Sequence, residues 1–225
     1  MNPYSDRISH IQQTIATANL GSPNPEQAIQ LLAVSKTKPS RDLSLAYQAG
    51  LRHFGESYLQ EALAKQDQLA HFAITWHFIG PIQSNKTRAI ANNFSWVHSV
   101  DRLKIAKRLN EQRAPHLSPL NIFLQINISG EPSKSGVSLD QLPTLISEIR
   151  VLKNLSLRGV MAIPEKQADY DAQCRPYRDI YRAIQQLKEP DLNHFSFGMS
   201  GDMTAAVHEG ATIVRVGTAL FGQRN

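Results

Sequence analysis

A lysine ends the first apolar run of this chain. Leu31-Leu32-Ala33-Val34-Ser35 suits a buried strand, and Lys36-Thr37-Lys38-Pro39 stops it, so Lys36 stands at the strand's C-terminal lip. In a parallel α/β barrel that lip is where chemistry is done, because every strand delivers its last side chains to one mouth. A lysine held there partly out of water loses some preference for the ammonium form and becomes an amine nucleophile toward an aldehyde. The competing reading is an ordinary strand-end lysine pointing into solvent. Near the other end, Gly198-Met199-Ser200-Gly201-Asp202 follows an apolar run and opens a helix, a pattern whose outward backbone amides suit an anion. Many helices begin this way with no ligand at all. Arg215-Val216-Gly217-Thr218 offers two more amides and a hydroxyl at the end of the last apolar run. Barrels frequently bind phosphate on the loops after strands seven and eight, and both loops carry suitable residues. Arg215 lies within a strand that a parallel sheet covers on both faces, so its guanidinium needs a partner. A ligand would serve, and so would an ion pair with a barrel carboxylate such as Glu56.

The elements that must position these groups alternate regularly. Apolar runs over 31–35, 51–56, 74–80, 96–100, 121–127, 157–163, 194–199 and 212–217 read as eight strands. Helical spacing appears over 40–49, 57–70, 83–91, from Asp101 onward, over 138–153 and over 168–188, with Pro176 set to kink or delay the last of these. A Gly- and Pro-containing loop spans 129–137, and a brief helix follows the last strand. Ile8, Ile11, Ile15 and Ala18 place one extra helix over 3–20, before the first strand, with Ser5 as its N-cap, and Ser40 and Asp101 are the N-caps expected for the helices that begin there. Short connections between alternating strands and helices imply a parallel sheet with right-handed crossovers, and eight units close into a barrel. The fold expected is α/β, a single (β/α)8 TIM barrel over residues 1–225 with an extra N-terminal helix. An open doubly wound sheet would need a Gly-rich turn after its first strand, where this chain has Lys36-Thr37-Lys38-Pro39.

Composition narrows the function classes. A chain of 225 residues, 41% hydrophobic and 19% charged, has the make-up of a globular protein with a sizeable core. Its net charge of +5 is scattered, with no basic stripe interleaved with aromatics, which argues against nucleic acid as a partner. One cysteine, Cys174, rules out an internal disulfide and any Cys-rich metal site. With no signal-peptide pattern at the start and no apolar run near the length of a membrane span, the expected location is the cytoplasm.

Five segments carry a specific resemblance. Ala33-Val34-Ser35-Lys36, Phe54-Gly55-Glu56-Ser57-Tyr58-Leu59-Gln60-Glu61, His77-Phe78-Ile79-Gly80-Pro81-Ile82-Gln83-Ser84-Asn85-Lys86, Gly198-Met199-Ser200-Gly201-Asp202 and Arg215-Val216-Gly217-Thr218-Ala219-Leu220-Phe221-Gly222 resemble the signature segments of the pyridoxal phosphate homeostasis protein family. They occur in the family's order and cover essentially the whole chain. Ser57, where the family commonly has asparagine, and Pro81, where a polar or basic residue is usual, depart from the pattern.

The resemblance implies a one-domain barrel similar to that of alanine racemase, with pyridoxal 5'-phosphate (PLP) at its mouth. It implies that Lys36 forms a Schiff base with PLP, that Ser200, Gly201, Gly217 and Thr218 hold the phosphate, and that Arg215 faces the pyridine nitrogen. His77, Asn85 and Met199 would line the pocket, although a satisfied core histidine is an equal reading of His77. An arginine cannot accept a proton, so at that position it disfavours the pyridinium that most PLP enzymes use as an electron sink. Alanine racemase takes a second base, a tyrosine, from a separate domain across a dimer, whereas this sequence ends ten residues after Arg215. The expectation is therefore a monomeric PLP-binding protein without catalytic residues or metal. It would buffer the cofactor or deliver it to PLP-dependent apoenzymes, and would influence vitamin B6 and amino- or keto-acid balance. The rival is a small PLP enzyme, a racemase or lyase of unknown substrate.

Overall fold

The structure, a computed structural model, describes residues 2–130 and 135–223; part of the loop expected over 129–137 thus lies outside the described residues. Eight parallel strands, β1 (Gln30–Val34), β2 (His53–Glu56), β3 (Thr75–Phe78), β4 (Trp96–Val100), β5 (Leu120–Ile126), β6 (Leu155–Ala162), β7 (His194–Ser196) and β8 (Ile213–Val216), follow one another around a closed barrel. Closure is made by β8 against β1, with Leu32 opposite Arg215 and Ala33 opposite Val216. The helices are α1 (Ser5–Asn19), α2 (Ser40–Gln48), α3 (Leu59–Gln68), α4 (Thr87–Asn93), α5 (Leu103–Gln112), α6 (Leu142–Arg150), α7 (Tyr170–Gln186), α8 (Met203–His208) and α9 (Thr218–Phe221). The TIM barrel and its extra leading helix are thus as expected. None of these helices is long and apolar enough to cross a membrane.

Helix faces follow the sequence periodicity. Ile8, Ile11 and Ile15 bury one face of α1, and Cys174, Tyr177, Ile180 and Ile184 bury one face of α7. Helix ends differ from expectation. Ser5 and Ser40 lie inside their helices, with Tyr4 and Pro39 at the cap positions. Asp101 holds Arg102 at 2.7 Å instead of capping, and Arg102 takes the N-cap of α5. The stretch expected as a helix over 138–153 opens as a 3-10 turn whose Ser138 and Gln141 form a capping box. Asp169 caps α7 by accepting from the Ala172 N–H at 2.9 Å, and the helix runs on through Pro176.

Most of the core lies between sheet and helices, where the outward residues of the strands meet the helix faces. Inside the barrel the side chains divide. Leu32, Phe123, Met161 and Ile213 form a small apolar cluster from β1, β5, β6 and β8. His53, His77, His98 and Ser196 occupy the interior from β2, β3, β4 and β7, joined by hydrogen bonds. Gly80, just past β3, is required by close approach, since a Cβ there would fall 2.2 Å from the Ser57 carbonyl oxygen.

Burial holds the His77 and His98 rings well below the ordinary histidine range; His98 and His53 add to the effect on His77, and Arg215 adds to it on His98. In the unfolded chain both rings take up protons near about pH 6.5, while in the folded chain they remain neutral. Their contribution to stability is therefore complete above about pH 6.5 and is lost as the pH falls below it. Urea midpoints measured from about pH 7.5 down to about pH 5 should fall, and less steeply in His98→Asn. A flat wild-type profile would mean that the rings titrate normally.

Candidate functional site

A cavity of about 380 Å³ opens at the C-terminal ends of the strands. Lys36 beyond β1, Met199, Ser200 and Gly201 beyond β7, Arg215 of β8, and Gly217 and Thr218 beyond it all line this mouth. Ser57, Tyr177, Asp202 and the loop over 163–167 complete much of the wall. His77 and Asn85 are not part of it. His77 is one inward position below the lining residue Ile79 and lies in the barrel interior, bonded to other histidines. Asn85 is exposed on the 3-10 turn Ser84–Lys86. That turn is fastened to its neighbours through the Ser84 carbonyl, which accepts from Thr87 Oγ1 at 2.9 Å and Arg108 Nε at 3.0 Å. A groove of about 530 Å³ between α1 and the opposite barrel end contains neither the lysine nor the two loops.

The turn carrying Lys36 is clamped on both sides. Lys38 N–H and Lys65 Nζ both donate to the Ser35 carbonyl, at 3.0 and 2.7 Å. Thr37 N–H donates to Glu61 Oε1 at 2.6 Å, and the same oxygen accepts from Lys65 at 2.5 Å. Lys65 also meets Glu56 Oε1 at 2.8 Å, where Ser35 Oγ donates at 2.6 Å. Burial pushes the Glu56 carboxyl above its ordinary value, against the pull of Lys65 and Ser35. Between these anchors Thr37 takes a φ of 65°, a left-handed conformation that a β-branched residue adopts only where its surroundings impose it. The strain sits beside the lysine that the turn aims.

Arg215 has a different environment. It is 4% exposed, and its Nη1 donates to Ser196 Oγ at 2.8 Å and to the Ser196 carbonyl, while Nη2 donates to the Ala162 carbonyl at 2.9 Å. Every one of these acceptors is neutral. Glu56, the carboxylate considered from sequence, is engaged by Lys65, and among the described residues no carboxylate lies within ion-pair distance of Arg215. Asp202 acts on the guanidinium only from beyond ion-pair distance, so no bonded carboxylate cancels its field toward whatever enters the mouth.

The two loops beside it are tied together. Gly198 has a φ of 78°, and its carbonyl accepts the Arg215 N–H at 3.0 Å, so the loop is fixed to β8. Asp202 accepts from Met199 N–H at 2.6 Å and from the Tyr177 hydroxyl at 2.7 Å. Ser200 Oγ accepts from Ala219 N–H at 3.3 Å, which links this loop to the start of α9. The N–H groups of Ser200 and Gly201 find no acceptor among the described residues. A Cβ built on Gly201 would meet nothing within 4 Å, so that backbone faces open space. Sequence reasoning marked neither Lys65 nor Tyr177 as a site residue, although Tyr177 reads as part of the buried face of the helix over 168–188. The spacing of Glu61 and Lys65 was visible as a helical ion pair, but nothing assigned Tyr177 to the mouth, since its ring belongs to the core face of α7.

The chain is similar in sequence and fold to known proteins. Residues 15–225 match the family model described as alanine racemase, N-terminal domain. The pyridoxal phosphate homeostasis protein of Pseudomonas aeruginosa is 52% identical over 225 residues, covering 100% of this chain and 97% of that protein. Its counterpart in Escherichia coli K12 is 44% identical over 233 residues, covering 100% and 98%. PipY of Synechococcus elongatus, solved with PLP bound, superposes with a TM-score of 0.85 at 33% identity, over 97% of this chain and 100% of its own. Alanine racemase of Corynebacterium glutamicum shares the fold, with a TM-score of 0.65 at 19% identity over 97% of this chain and 61% of its own.

Lys65→Met removes the cation that joins Glu56, Glu61 and the Ser35 carbonyl. Breaking a buried pair from one side costs about 3 kcal/mol or more, and equilibrium urea unfolding should register a loss of that order. Adding Glu56→Gln should return part of it. A loss below about 1 kcal/mol would place the pair with ordinary surface ion pairs and remove the clamp from the account.

Proposed function

Since the chain belongs to the alanine racemase N-terminal domain family, and within it to the pyridoxal phosphate homeostasis proteins, we propose that it holds PLP at the barrel mouth as a Schiff base with Lys36 and serves PLP homeostasis without catalytic turnover. One observation carries the reading: a lysine on a clamped turn, a buried arginine bonded to no carboxylate and the unpaired N–H groups of Ser200 and Gly201 share one cavity. These match PLP group by group, an aldehyde for the lysine, a dianion for the amides and a ring nitrogen for the guanidinium. When bound, PLP would supply an aldehyde with which Lys36 condenses with loss of water, a bond that water reverses.

The chain's own residues then divide the work. Ser200, Gly201, Gly217 and Thr218 hold the phosphate with backbone and hydroxyl donors. Arg215 donates toward the pyridine nitrogen and, having no acceptor, keeps that nitrogen unprotonated, which weakens carbanion chemistry. Met199 borders the mouth, 40% exposed. The tyrosine nearest to hand is unsuited to moving a proton, because burial, with Asp202 reinforcing it, pushes the Tyr177 phenol far above its usual value. On this reading the protein is a cytoplasmic monomer that delivers PLP to apoenzymes.

PLP added to the purified protein should produce a visible absorbance band, and borohydride should fix the cofactor to Lys36, as read by peptide mass spectrometry. Lys36→Ala should show neither. The loaded protein should restore activity to a PLP-dependent apoenzyme and turn over no amino acid. Lys36-dependent turnover would favour the racemase or lyase instead, and a protein that stays colourless with PLP would end the cofactor assignment.

A further inference from the structure

Below Arg215 four polar side chains are hydrogen-bonded in series through the barrel. Ser196 Oγ accepts from Arg215 Nη1 at 2.8 Å and lies 2.8 Å from His98 Nδ1. His98 Nε2 is 2.9 Å from His77 Nδ1, and His77 Nε2 is 3.0 Å from His53 Nδ1. The series descends from the base of the mouth to the opposite end of the barrel. There the half-buried His53, and His77 above it, border a cavity of about 150 Å³, shared with Gln30, Trp96 and His194. Ring packing keeps the imidazoles from turning: His77 stacks on Trp96 with planes 5° apart, and His98 lies 4.5 Å from the Phe123 ring centroid.

Hydrogen-bond accounting gives the series a direction. Arg215 can only donate, so it occupies a lone pair of Ser196 Oγ. The serine proton must then find an acceptor, and the other group at that oxygen among the described residues is His98 Nδ1. His98 Nδ1 therefore accepts, and a neutral imidazole carries its one proton on Nε2. That N–H donates to His77 Nδ1, which places the His77 proton on Nε2, and the same step places the His53 proton on Nε2, facing the cavity at the floor. The reverse order would leave the serine hydrogen buried without an acceptor, at a cost of about 1–3 kcal/mol. A charged ring at His98 would face the Arg215 guanidinium, and among the described residues no carboxylate within ion-pair distance of any of the three histidines would offset it.

We propose that Ser196, His98, His77 and His53 form a one-way hydrogen-bond relay that starts at Arg215 and positions its guanidinium from below, so that losing the last acceptor at the barrel floor is felt along the series up to the arginine's hydroxyl partner. The direction of the relay stands without any cofactor; its effect at the mouth rests on the reading of Arg215 as a PLP contact.

Long-range proton–nitrogen NMR of the imidazoles in cofactor-free protein at neutral pH tests the direction. His53, His77 and His98 should all appear as neutral Nε2–H tautomers, and an Nδ1–H or doubly protonated His77 or His98 would overturn the relay. His53→Phe removes the acceptor of the His77 N–H and should change the nitrogen signature of His98, a ring it does not touch. His53→Gln, whose amide oxygen accepts, should keep the wild-type pattern, and an unchanged His98 in His53→Phe would count against the relay. Should His53→Phe fail to fold, the wild-type and His53→Gln spectra still decide the direction. At the mouth, Ser196→Ala should weaken PLP binding about five- to tenfold, the equivalent of one hydrogen bond, and alter the bound absorbance spectrum, with Ser196→Thr restoring both. Wild-type affinity and spectrum in Ser196→Ala would remove the positioning role. Failure of the wild type to bind PLP would overturn the cofactor reading and, with it, the relay's effect at the mouth, while the tautomers would still report the direction separately.

Discussion

The pairing of the last strand with the first is the constraint from which the rest follows. Residues 30–33 and 213–216 lie side by side only because β8 returns to β1, and that register carries Lys36 and Gly217 to one lip from opposite ends of the chain. Individual ladder hydrogen bonds contribute modestly. Closure matters more because it removes both sheet edges and covers every strand on two faces. A side chain on the inner face then has as partners other inner side chains and the carbonyls at the strand ends, as Arg215 does. The direction of each inner residue is consequently fixed by the sheet's alternation, and the chemistry of the interior becomes a matter of which residues share a level.

This interior is unequal. Leu32, Phe123, Met161 and Ile213 supply the hydrophobic part, whereas His53, His77, His98 and Ser196 face one another across strands β2, β3, β4 and β7. Polar groups survive there because each finds a partner in the next. Two buried cations near the mouth are treated oppositely. Lys65 is met by Glu56 and Glu61 and spends its charge holding a turn, while Arg215 is met by two carbonyls and a hydroxyl and has no carboxylate bonded to it. The first arrangement is structural and the second is costly unless a ligand uses it.

Much of this was legible in the sequence because it depended on local order. Apolar runs located all eight strands, and where glycine, proline or lysine stopped them they placed Lys36 and the loops over 198–202 and 215–218 at one end. What was not legible depended on register between strands. Nothing local says that Glu56 answers Lys65 rather than Arg215, because that choice is made by where α3 packs. His77 and Asn85 belong to a recognisable segment, yet the cavity excludes both. The segment gives Gly80 room beneath Ser57 and fastens the 3-10 turn to Arg108, so its pattern reflects packing as much as contact with a ligand. Helix caps failed for a related reason. A serine or aspartate near a start is a candidate, but Asp101 had a closer use for its charge in Arg102.

On the proposed reading, the same features that make the mouth a good holder make it a poor catalyst. Rigid donors on two tied loops and a clamped lysine favour binding, since little has to be ordered when the ligand arrives. Turnover would need a group that changes protonation beside the reacting carbon. Tyr177 is committed to Asp202, and the residues that border the opening, Ile163 at 42% and Met199 at 40% exposed, leave water able to reach the site. An arginine that can only donate completes the difference, because it withholds from the ring nitrogen the proton on which electron withdrawal depends. A site so built retains the reversible chemistry of the lysine and gives up the rest, which is the division of labour that storing and handing on a reactive aldehyde requires.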